Sequence, residues 1–273
     1  MKQKLSFIVL MFSASLCYGQ PNCNIYKWKS DTACYNACME ATRALDFDQG
    51  SKESQLRFDT AIQMCPSLDY AWYEKSVPYL KRGDFITWMK LMDTAVRLNP
   101  IAYLGSRGWC RYKFLRDYEG ARRDIELLDS LSHYDIGYSS DGDYHLDIVK
   151  ALCYKGLGEN KRAIELFERQ LSLQNYTASL YDYLHLGVLY LESGNYKAAI
   201  SALQNSIKTN DCLAETHYYL ALAYKRSGNN DEYENQIQIA KDFYLNGKKR
   251  TDPYVDPMDK IYLADIDNEM KKG

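Results

Sequence analysis

The sequence predicts an all-α protein built from stacked helical hairpins. A pattern of large and small residues returns about every 34 residues along most of the chain. Its anchors are five tyrosines: Tyr79, Tyr112, Tyr154, Tyr190 and Tyr224. A fixed period of this length is typical of repeat proteins, in which no unit buries its apolar face alone and neighbouring units complete the core. We therefore expect a helical solenoid.

The positions that follow each tyrosine predict where the helices end. Glycine lies four residues later in four cases, at Gly83, Gly158, Gly194 and Gly228, and Arg116 takes that position in the fifth. Nine residues after the tyrosines are Trp88, Ala121, Ala163, Ala199 and Tyr233. Because glycine adopts the positive φ that ends a helix at little cost, each repeat should contain two helices joined by a short turn.

The best-formed repeat shows how the two helices fit together. One face of its first helix carries residues at i, i+3, i+4 and i+7, namely Tyr183, Leu186, Gly187 and Tyr190. Gly194 ends this helix, and the side chain of Asn195 can cap the next one. In the second helix, Ala199 and Ser206 are small enough for close approach, and Leu203 fills the seam between the helices.

These positions resemble the tetratricopeptide repeat, whose pattern is W-x2-L-G-x2-Y, then A-x3-F, then a proline. The resemblance implies a right-handed superhelical solenoid of such hairpins. Six repeats fall in 35–247, at 35–68, 69–101, 102–135, 144–179, 180–213 and 214–247, with 136–143 as an insertion. Residues 20–34 should form an N-terminal segment with a cysteine cap. Residues 248–273 should form a capping helix, because the apolar residues from Met258 to Met270 follow an amphipathic spacing.

The beginning of the chain predicts export. Two lysines precede an apolar stretch from Leu5 to Leu16, and small residues lead to a cleavage point after Gly19. This pattern is typical of a cleavable secretory signal peptide over 1–19. No other apolar run reaches the roughly 18 residues needed to cross a bilayer, so the mature chain should not span a membrane. We expect it in the periplasm, at the cell envelope or outside the cell.

The charge balance argues against nucleic-acid binding. Cleavage would remove two of the 34 basic residues and none of the 36 acidic ones, so the net charge would move from −2 to −4. Nucleic-acid-binding domains carry a basic surface instead. An apolar fraction of 46 %, without long Pro, Gly or Ser tracts, indicates a compact and continuous fold.

Four cysteines near the N-terminus predict disulfide bonds: Cys23, Cys34, Cys38 and Cys65. Exported chains are oxidised, and a helical hairpin brings Cys38, placed in its first turn, close to Cys65 at its end. We prefer the pairs Cys38–Cys65 and Cys23–Cys34. The exchange of Cys34 and Cys38 is the alternative, because residues at i and i+4 share one helix face.

No catalytic constellation surrounds the four histidines, His133, His145, His185 and His217. None of them lies in an H-E-x-x-H, G-x-S-x-G or P-loop context. The stretch 133–147 combines histidines with Asp141, Asp143 and Asp147, which could ligate a cation. Their spacing departs from a calcium loop, however, and also suits a turn before a helix N-cap. We therefore expect no enzymatic activity, no cofactor and no metal site.

The resemblance implies that the first helices of the repeats line a concave groove. Projection of the register gives nine candidate partner-binding residues: Tyr70, Tyr73, Tyr103, Lys113, Phe114, Lys155, Tyr181, Tyr218 and Lys225. Aromatic rings with a cationic margin suit an extended peptide that carries acidic groups or a free carboxylate. The alternative is that these residues bind no partner. The tyrosines would then pack between repeats, and the lysines would lie in the last turns of helices because the helix dipole favours positive charge there.

The sequence thus predicts a non-catalytic scaffold of the cell envelope or secreted space that holds a protein or peptide in its groove. The alternative is a receptor for a small ligand or glycan, with an enzyme less favoured, whose pocket combines the aromatic groove with residues 136–143. An open groove would favour the scaffold. An enclosed cavity with convergent polar groups would favour the receptor.

Overall fold

The computed structural model describes residues 21–272, so the predicted signal peptide over 1–19 lies outside the described residues. The described part is all-α, as the sequence predicts, apart from one isolated β-bridge between Tyr138 and His145. The chain divides into two compact units, one that ends at Leu91 and one that begins at Met92. Each unit is a stack of antiparallel helices rather than a shell around one central core.

The first unit contains four complete helices and part of a fifth. These are α1 (Asn24–Trp28), α2 (Thr32–Arg43), α3 (Lys52–Met64), α4 (Asp69–Lys81) and the beginning of α5 (Phe85–Leu98), which crosses the boundary. Polar side chains cap the N-termini of α2 and α3. Asp31 accepts a hydrogen bond from the Cys34 N–H at 3.0 Å, and Ser51 accepts one from the Ser54 N–H at 3.1 Å. Ala41 is fully buried, which lets α2 and α3 pack closely.

Two disulfide bonds hold the N-terminal end of the first unit. They join Cys23 to Cys38 and Cys34 to Cys65, with Cα–Cα distances of 5.5 and 5.0 Å. The preferred sequence pairing was therefore wrong, and the alternative is present. The reason is that α2 begins at Thr32, so that Cys34 occupies its first turn beside the end of α3. Cys38 lies one turn further along the same face and meets Cys23 at the start of α1.

The second unit contains the rest of α5 and nine further helices within the described residues. These are α6 (Pro100–Cys110), α7 (Tyr118–Leu131), α8 (Leu146–Gly156), α9 (Asn160–Leu171), α10 (Asp182–Glu192), α11 (Tyr196–Thr209), α12 (Ala214–Ser227), α13 (Asn230–Leu245) and α14 (Leu263–Met270). Helices α6 to α13 form four hairpins, each packed on the next, and α14 packs on α13.

The hairpin of α10 and α11 confirms the packing that its sequence predicts. Gly194 ends α10 with φ +77°, and the side chain of Asn195 accepts a hydrogen bond from the Ala198 N–H at 3.3 Å. Gly187 allows the helices to touch, because a Cβ atom there would come within 2.5 Å of the Leu203 side chain. The close packing of α10 on α11 thus requires glycine at position 187.

The turn after α6 is irregular where the sequence replaces glycine. Helix α6 continues into one π-helical turn, Arg111–Leu115, and Arg116 then adopts φ +53°. A left-handed conformation costs a residue with a side chain on the order of 1 kcal/mol. The Arg116 guanidinium donates from Nη2 to the backbone oxygen of Asp256 at 3.2 Å, so this strained residue has a tertiary contact of its own.

Helix α14 begins later than the amphipathic spacing predicts. The apolar pattern starts at Met258, whereas α14 spans Leu263–Met270. Asp259 lies between them with φ +62°, which interrupts a right-handed helix at that point. Residues 248–272, hereafter the C-terminal segment, therefore consist of an irregular stretch followed by a short helix.

Candidate partner-binding site

A cavity in the first unit surrounds Tyr70, one of the candidate residues from the sequence. Its volume is about 490 Å³. Its walls include Phe47, Asp48, Phe58, Tyr70 and Glu74. One side is closed by Lys81, whose ammonium group donates to the Gln49 side-chain oxygen at 2.6 Å. The cavity therefore combines aromatic rings with charged groups.

Glu74 is an unpaired, half-buried carboxyl group of this cavity. Its side chain is half-buried and has no hydrogen bond or ion pair with any residue within 21–272. Burial raises the pKa of its carboxyl, and the positive charge of Lys81 acts in the opposite direction. Asp46 and Asp48 at the rim also lack ion pairs in this part of the chain. The cavity is consequently electronegative.

Three further candidate tyrosines already have packing partners. Tyr73 on α4 and Tyr103 on α6 are half-buried, and each takes part in an interaction with the rest of the fold. Tyr218 on α12 packs against the apolar cluster that contains Ile261 and Ile266 of the C-terminal segment. The ring of Tyr218 thus contributes to the packing of the C-terminal segment.

The C-terminal segment pairs with all three candidate lysines. The pairs are Lys113–Asp252 at 2.6 Å, Lys155–Asp259 at 2.6 Å and Lys225–Glu269 at 2.9 Å. Lys113 lies in addition 3.0 Å from Asp141. The chain itself therefore supplies the acidic groups that the sequence argument assigned to a partner. An acidic peptide could reach these lysines only by replacing the C-terminal segment.

The two remaining aromatic candidates also contact this segment. The ring of Phe114 lies 6.0 Å from that of Tyr254, measured between centroids. The guanidinium of Arg250 lies over the ring of Tyr181 at 4.1 Å, which is a cation–π contact. In the second unit, several of the candidate residues do meet carboxylate and aromatic side chains of a separate segment, but that segment belongs to the same chain.

Arg250 fixes the beginning of the C-terminal segment. Its side chain is buried, with 6 % of the residue exposed. Nη1 donates to the Met258 backbone oxygen at 2.7 Å, and Nη2 donates to the Tyr144 hydroxyl at 2.7 Å. Its backbone N–H donates to the Glu215 carboxylate at 3.1 Å. The bond to Met258 ties together the two ends of the loop 251–257.

Asp259 fixes the segment at a second point. One carboxylate oxygen accepts from Lys155, and the other lies 2.6 Å from His185 Nδ1. Burial opposes ionisation of Asp259, but Lys155 and His185 outweigh it and hold the pKa of this carboxyl at about 2. Burial lowers the pKa of His185 to about 4, although Asp259 acts in the opposite direction. A neutral His185 then donates from Nδ1 and accepts at Nε2 from the Tyr144 hydroxyl at 3.1 Å.

A second cavity lies between the C-terminal segment and the inner helices of the second unit. Its volume is about 450 Å³. Trp109, Tyr112, Tyr118 and Tyr144 form its aromatic wall. The loop 251–257 and Met258 form the opposite wall. The groove expected in this unit is thus partly filled by the chain and partly enclosed as a cavity.

The stretch 133–147 forms a capped turn. Asp141 accepts from the Ser139 hydroxyl at 2.7 Å and pairs with Lys113. His145 begins α8 as its N-cap and lies 3.0 Å from Asp135 through Nε2. Between residues 21 and 272, no group of three His, Cys, Asp or Glu side chains is arranged to hold a metal ion.

Sequence reasoning missed the role of the C-terminal segment. It found the lysines but not their partners, because it treated the segment as a helix that caps the last repeat. A signal was present: three aspartates, Asp252, Asp256 and Asp259, alternate with two prolines over eight residues. Proline disfavours a helix there, and closely spaced carboxylates call for cations elsewhere in the fold.

The comparisons with known proteins agree with this geometry. A family model for the tetratricopeptide repeat matches residues 148–177 and 183–211. These ranges cover α8 with α9 and α10 with α11. No curated protein matches the chain. Within the described residues, no helix is both long enough and apolar enough to cross a membrane.

Solved structures with the same fold include PilW, PilF and YrrB. PilW, a widely conserved type IV pilus biogenesis factor, aligns with a TM-score of 0.60 and 13 % identity over 77 % of this chain and 94 % of PilW. PilF of Pseudomonas aeruginosa aligns with a TM-score of 0.60 and 14 % identity over 78 % of this chain and 94 % of PilF. YrrB, a tetratricopeptide protein with an unusual peptide-binding site, aligns with a TM-score of 0.53 and 14 % identity over 69 % of this chain and 93 % of YrrB. At such identities the likeness concerns the fold alone.

Proposed function

Because the chain is a tetratricopeptide-repeat protein, we propose that it acts as a non-catalytic scaffold that holds a protein or peptide partner outside the cytoplasm. The fold is of the kind that mediates protein–protein interaction. Stacked hairpins present aromatic and charged side chains on rigid helices, which suits recognition of an extended segment. No partner follows from the likeness to pilus biogenesis factors, since the shared feature is the fold.

The carboxylate of Glu74 is the observation that carries the proposed site. It is half-buried beside Tyr70 and lacks a hydrogen bond within the described chain. A half-buried carboxylate is stabilised by a cation that donates hydrogen bonds to it. The first unit therefore favours a basic side chain of the partner, packed against the ring of Tyr70. This differs from the acidic peptide expected from the lysines, which the C-terminal segment already engages.

The two disulfide bonds support the proposed location. Structural disulfides form and persist in oxidising compartments, and they are rare in the cytosol. Cys38 is fully buried and Cys65 is 2 % exposed, so both bridges are part of the packed fold. The sequence pattern over 1–19 points to the same compartment. We infer that the protein acts in the periplasm, at the envelope or outside the cell.

Partner capture with matched variants tests the binding site. The full chain would be used as bait in the native envelope fraction, and bound proteins would be quantified for wild type, Tyr70→Ala and Glu74→Gln. Both variants should reduce capture of the same partner at least tenfold, because each removes one of the two groups that hold the basic side chain. The Glu74→Gln variant should in addition reduce the salt dependence of capture, because one of the negative charges of the cavity is removed.

Leu56→Ala is the matched control, since Leu56 is 62 % exposed and lies outside the cavity. Circular dichroism would confirm that all variants fold. If Leu56→Ala reduces capture as much as Tyr70→Ala does, or if Glu74→Gln leaves capture and its salt dependence unchanged, the partner binds elsewhere.

The cavity of about 450 Å³ in the second unit favours a second function, that of a small-ligand receptor. Its volume lies in the usual range of small-molecule sites, about 300–1,000 Å³. The two functions use different units of the chain, so one protein can carry both.

A further inference from the structure

The cavity of the second unit has polar groups that the protein leaves unsatisfied. Tyr112 is 8 % exposed, and its hydroxyl has no hydrogen-bond partner among residues 21–272. Trp109 is 4 % exposed, and its indole N–H has no partner in the same part of the chain. Both side chains line the cavity. A ligand in the cavity can therefore supply a hydrogen-bond partner to each of these two groups.

Asp143 adds an acceptor to these two donors. Its carboxylate lines the cavity and forms no side-chain hydrogen bond or ion pair with the described residues. Burial raises the pKa of Asp143, as does the negative charge of Asp141. A ligand that donates a hydrogen bond would stabilise the ionised form. The cavity thus offers unpaired groups of both kinds, donors at Trp109 and Tyr112 and an acceptor at Asp143.

Most of the other charged groups around the cavity already have partners within the chain. Lys113 pairs with Asp252 at 2.6 Å, and Lys260 pairs with Asp256 at 2.5 Å. Arg250 donates to the Tyr144 hydroxyl and to a backbone oxygen. Asp259 pairs with Lys155 and His185. The lining holds four basic and four acidic side chains in total, so it favours a ligand without net charge.

The walls determine the shape of the ligand. The ring of Trp109 stacks on that of Tyr112 at 5.5 Å and lies 5.6 Å from that of Tyr144, measured between centroids. The ring of Tyr118 lies 6.0 Å from that of Tyr112. Such a continuous aromatic surface packs well against a flat ligand face without hydrogen-bonding groups. Arg116, Asp143, Asp256 and Tyr262 are exposed lining residues, so they mark the mouth of the cavity.

We propose that this cavity binds a neutral polyhydroxylated ligand of one or two sugar rings. Sugar hydroxyls both donate and accept hydrogen bonds, which matches the buried Tyr112 and Trp109 in the aromatic wall and the exposed carboxylate of Asp143. The C–H face of a sugar ring packs on the aromatic wall. The proposal rests on the receptor function of the second unit and is independent of partner binding by Glu74. It names the ligand class for that receptor.

Saturation-transfer NMR on the full chain tests the proposal. The probes are glucose, N-acetylglucosamine, maltose and chitobiose at millimolar concentration, with tyramine, benzoate and phenylalanine as charged aromatic comparisons. At least one saccharide should give signals from its ring protons. Asp143→Ala should weaken its affinity about tenfold, because a hydrogen bond to a charged group is lost. Glu165→Ala is the matched control, since Glu165 is exposed on α9 and lies outside the cavity.

A cavity-filling variant separates this site from the surface. Val255 lines the cavity from the loop 251–257, so Val255→Trp should abolish saccharide signals while the melting temperature stays close to that of wild type. If a charged aromatic probe binds instead and Val255→Trp removes it, the receptor function holds and the saccharide class is wrong. If no probe gives a signal that Val255→Trp removes, both the ligand class and the receptor function are wrong.

Discussion

The two ends of the described chain are fastened by different chemistry. At the N-terminal end, the bridges Cys23–Cys38 and Cys34–Cys65 hold α1, α2 and α3 together. At the C-terminal end, no disulfide is present within the described residues, and Arg250 and Asp259 hold the irregular stretch through buried hydrogen bonds and ion pairs. Terminal repeats of a stacked array have only one neighbour, so both ends need such reinforcement.

The two kinds of fastening respond to different conditions. A disulfide stabilises mainly by restricting the unfolded chain, and it is lost only on reduction. A buried ionic network stabilises only while all its members are present and correctly protonated, because removal of one leaves another charge buried and unpaired. The first unit should therefore be sensitive to reducing agents, and the second unit to pH and to single substitutions. Three predictions test this contrast.

The largest effect is expected for Arg250→Ala. The substitution leaves the Tyr144 hydroxyl and the Met258 oxygen without their donor, removes the positive charge that acts on the buried carboxyl of Glu215, and opens a void beside Tyr181. Breaking a buried charged network of this kind costs about 3–5 kcal/mol. Urea unfolding should show this loss, and hydrogen exchange should place it in the second unit. Arg226→Ala, at an exposed arginine of α12, should change stability little; equal losses for the two variants would contradict the proposed role of Arg250.

A smaller loss is expected when Cys34 and Cys65 are both changed to alanine. Their bridge spans 31 residues, and a loop of that size stabilises by about 3–4 kcal/mol in the chain-entropy description. Hydrogen exchange should become faster in α2 and α3 and stay unchanged in α10 to α13. Mild reduction of the wild-type protein should produce the same pattern of hydrogen exchange. Cys212→Ala, which removes an exposed free thiol, is the control; protection lost throughout the second unit as well would refute a local effect.

The spacing of small and large residues was sufficient to predict the repeat fold. Gly194 and Asn195 could be assigned from sequence because a helix stop and an N-cap are local events. The disulfide pairing was less accessible. It depended on whether α2 begins at Thr32 or three residues later, and helix boundaries are the least certain part of a sequence-based assignment.

For each ion pair of the candidate site, the sequence pointed to the lysine but not to its carboxylate partner. Lys113 and Lys155 were assigned to the groove from sequence because they occupy fixed positions of a repeat. Their partners lie far along the chain, as Lys155 and Asp259 show with a separation of 104 residues. The partners also lie in a segment without a repeat pattern, so no periodicity points to them. Periodic sequence identifies a surface, whereas an aperiodic segment that covers it becomes visible only in the folded structure.

The smallest of the three effects concerns pH and isolates His185. Its pKa is lowered from 6.5 to about 4 by burial and by the nearby charges of Arg250 and Lys155. Between these two values the unfolded chain takes up a proton at this position and the folded chain does not. Folding stability must therefore fall as the pH falls through this window. At 1.36 kcal/mol per pKa unit, the full loss is on the order of 3 kcal/mol.

Urea unfolding at pH 7 and near pH 4.5 measures this effect as a difference between variants. Other carboxyl groups also titrate in this range, but they are common to wild type and His185→Gln. The variant should lose less stability on acidification than wild type, by on the order of 2–3 kcal/mol, although it is less stable at pH 7 because Asp259 loses a hydrogen-bond donor. His133→Gln, at an exposed histidine, should follow wild type. If His185→Gln and wild type lose equal stability on acidification, His185 is not held neutral in the folded chain. The C-terminal end would then be no more sensitive to pH in this window than the disulfide-bonded end.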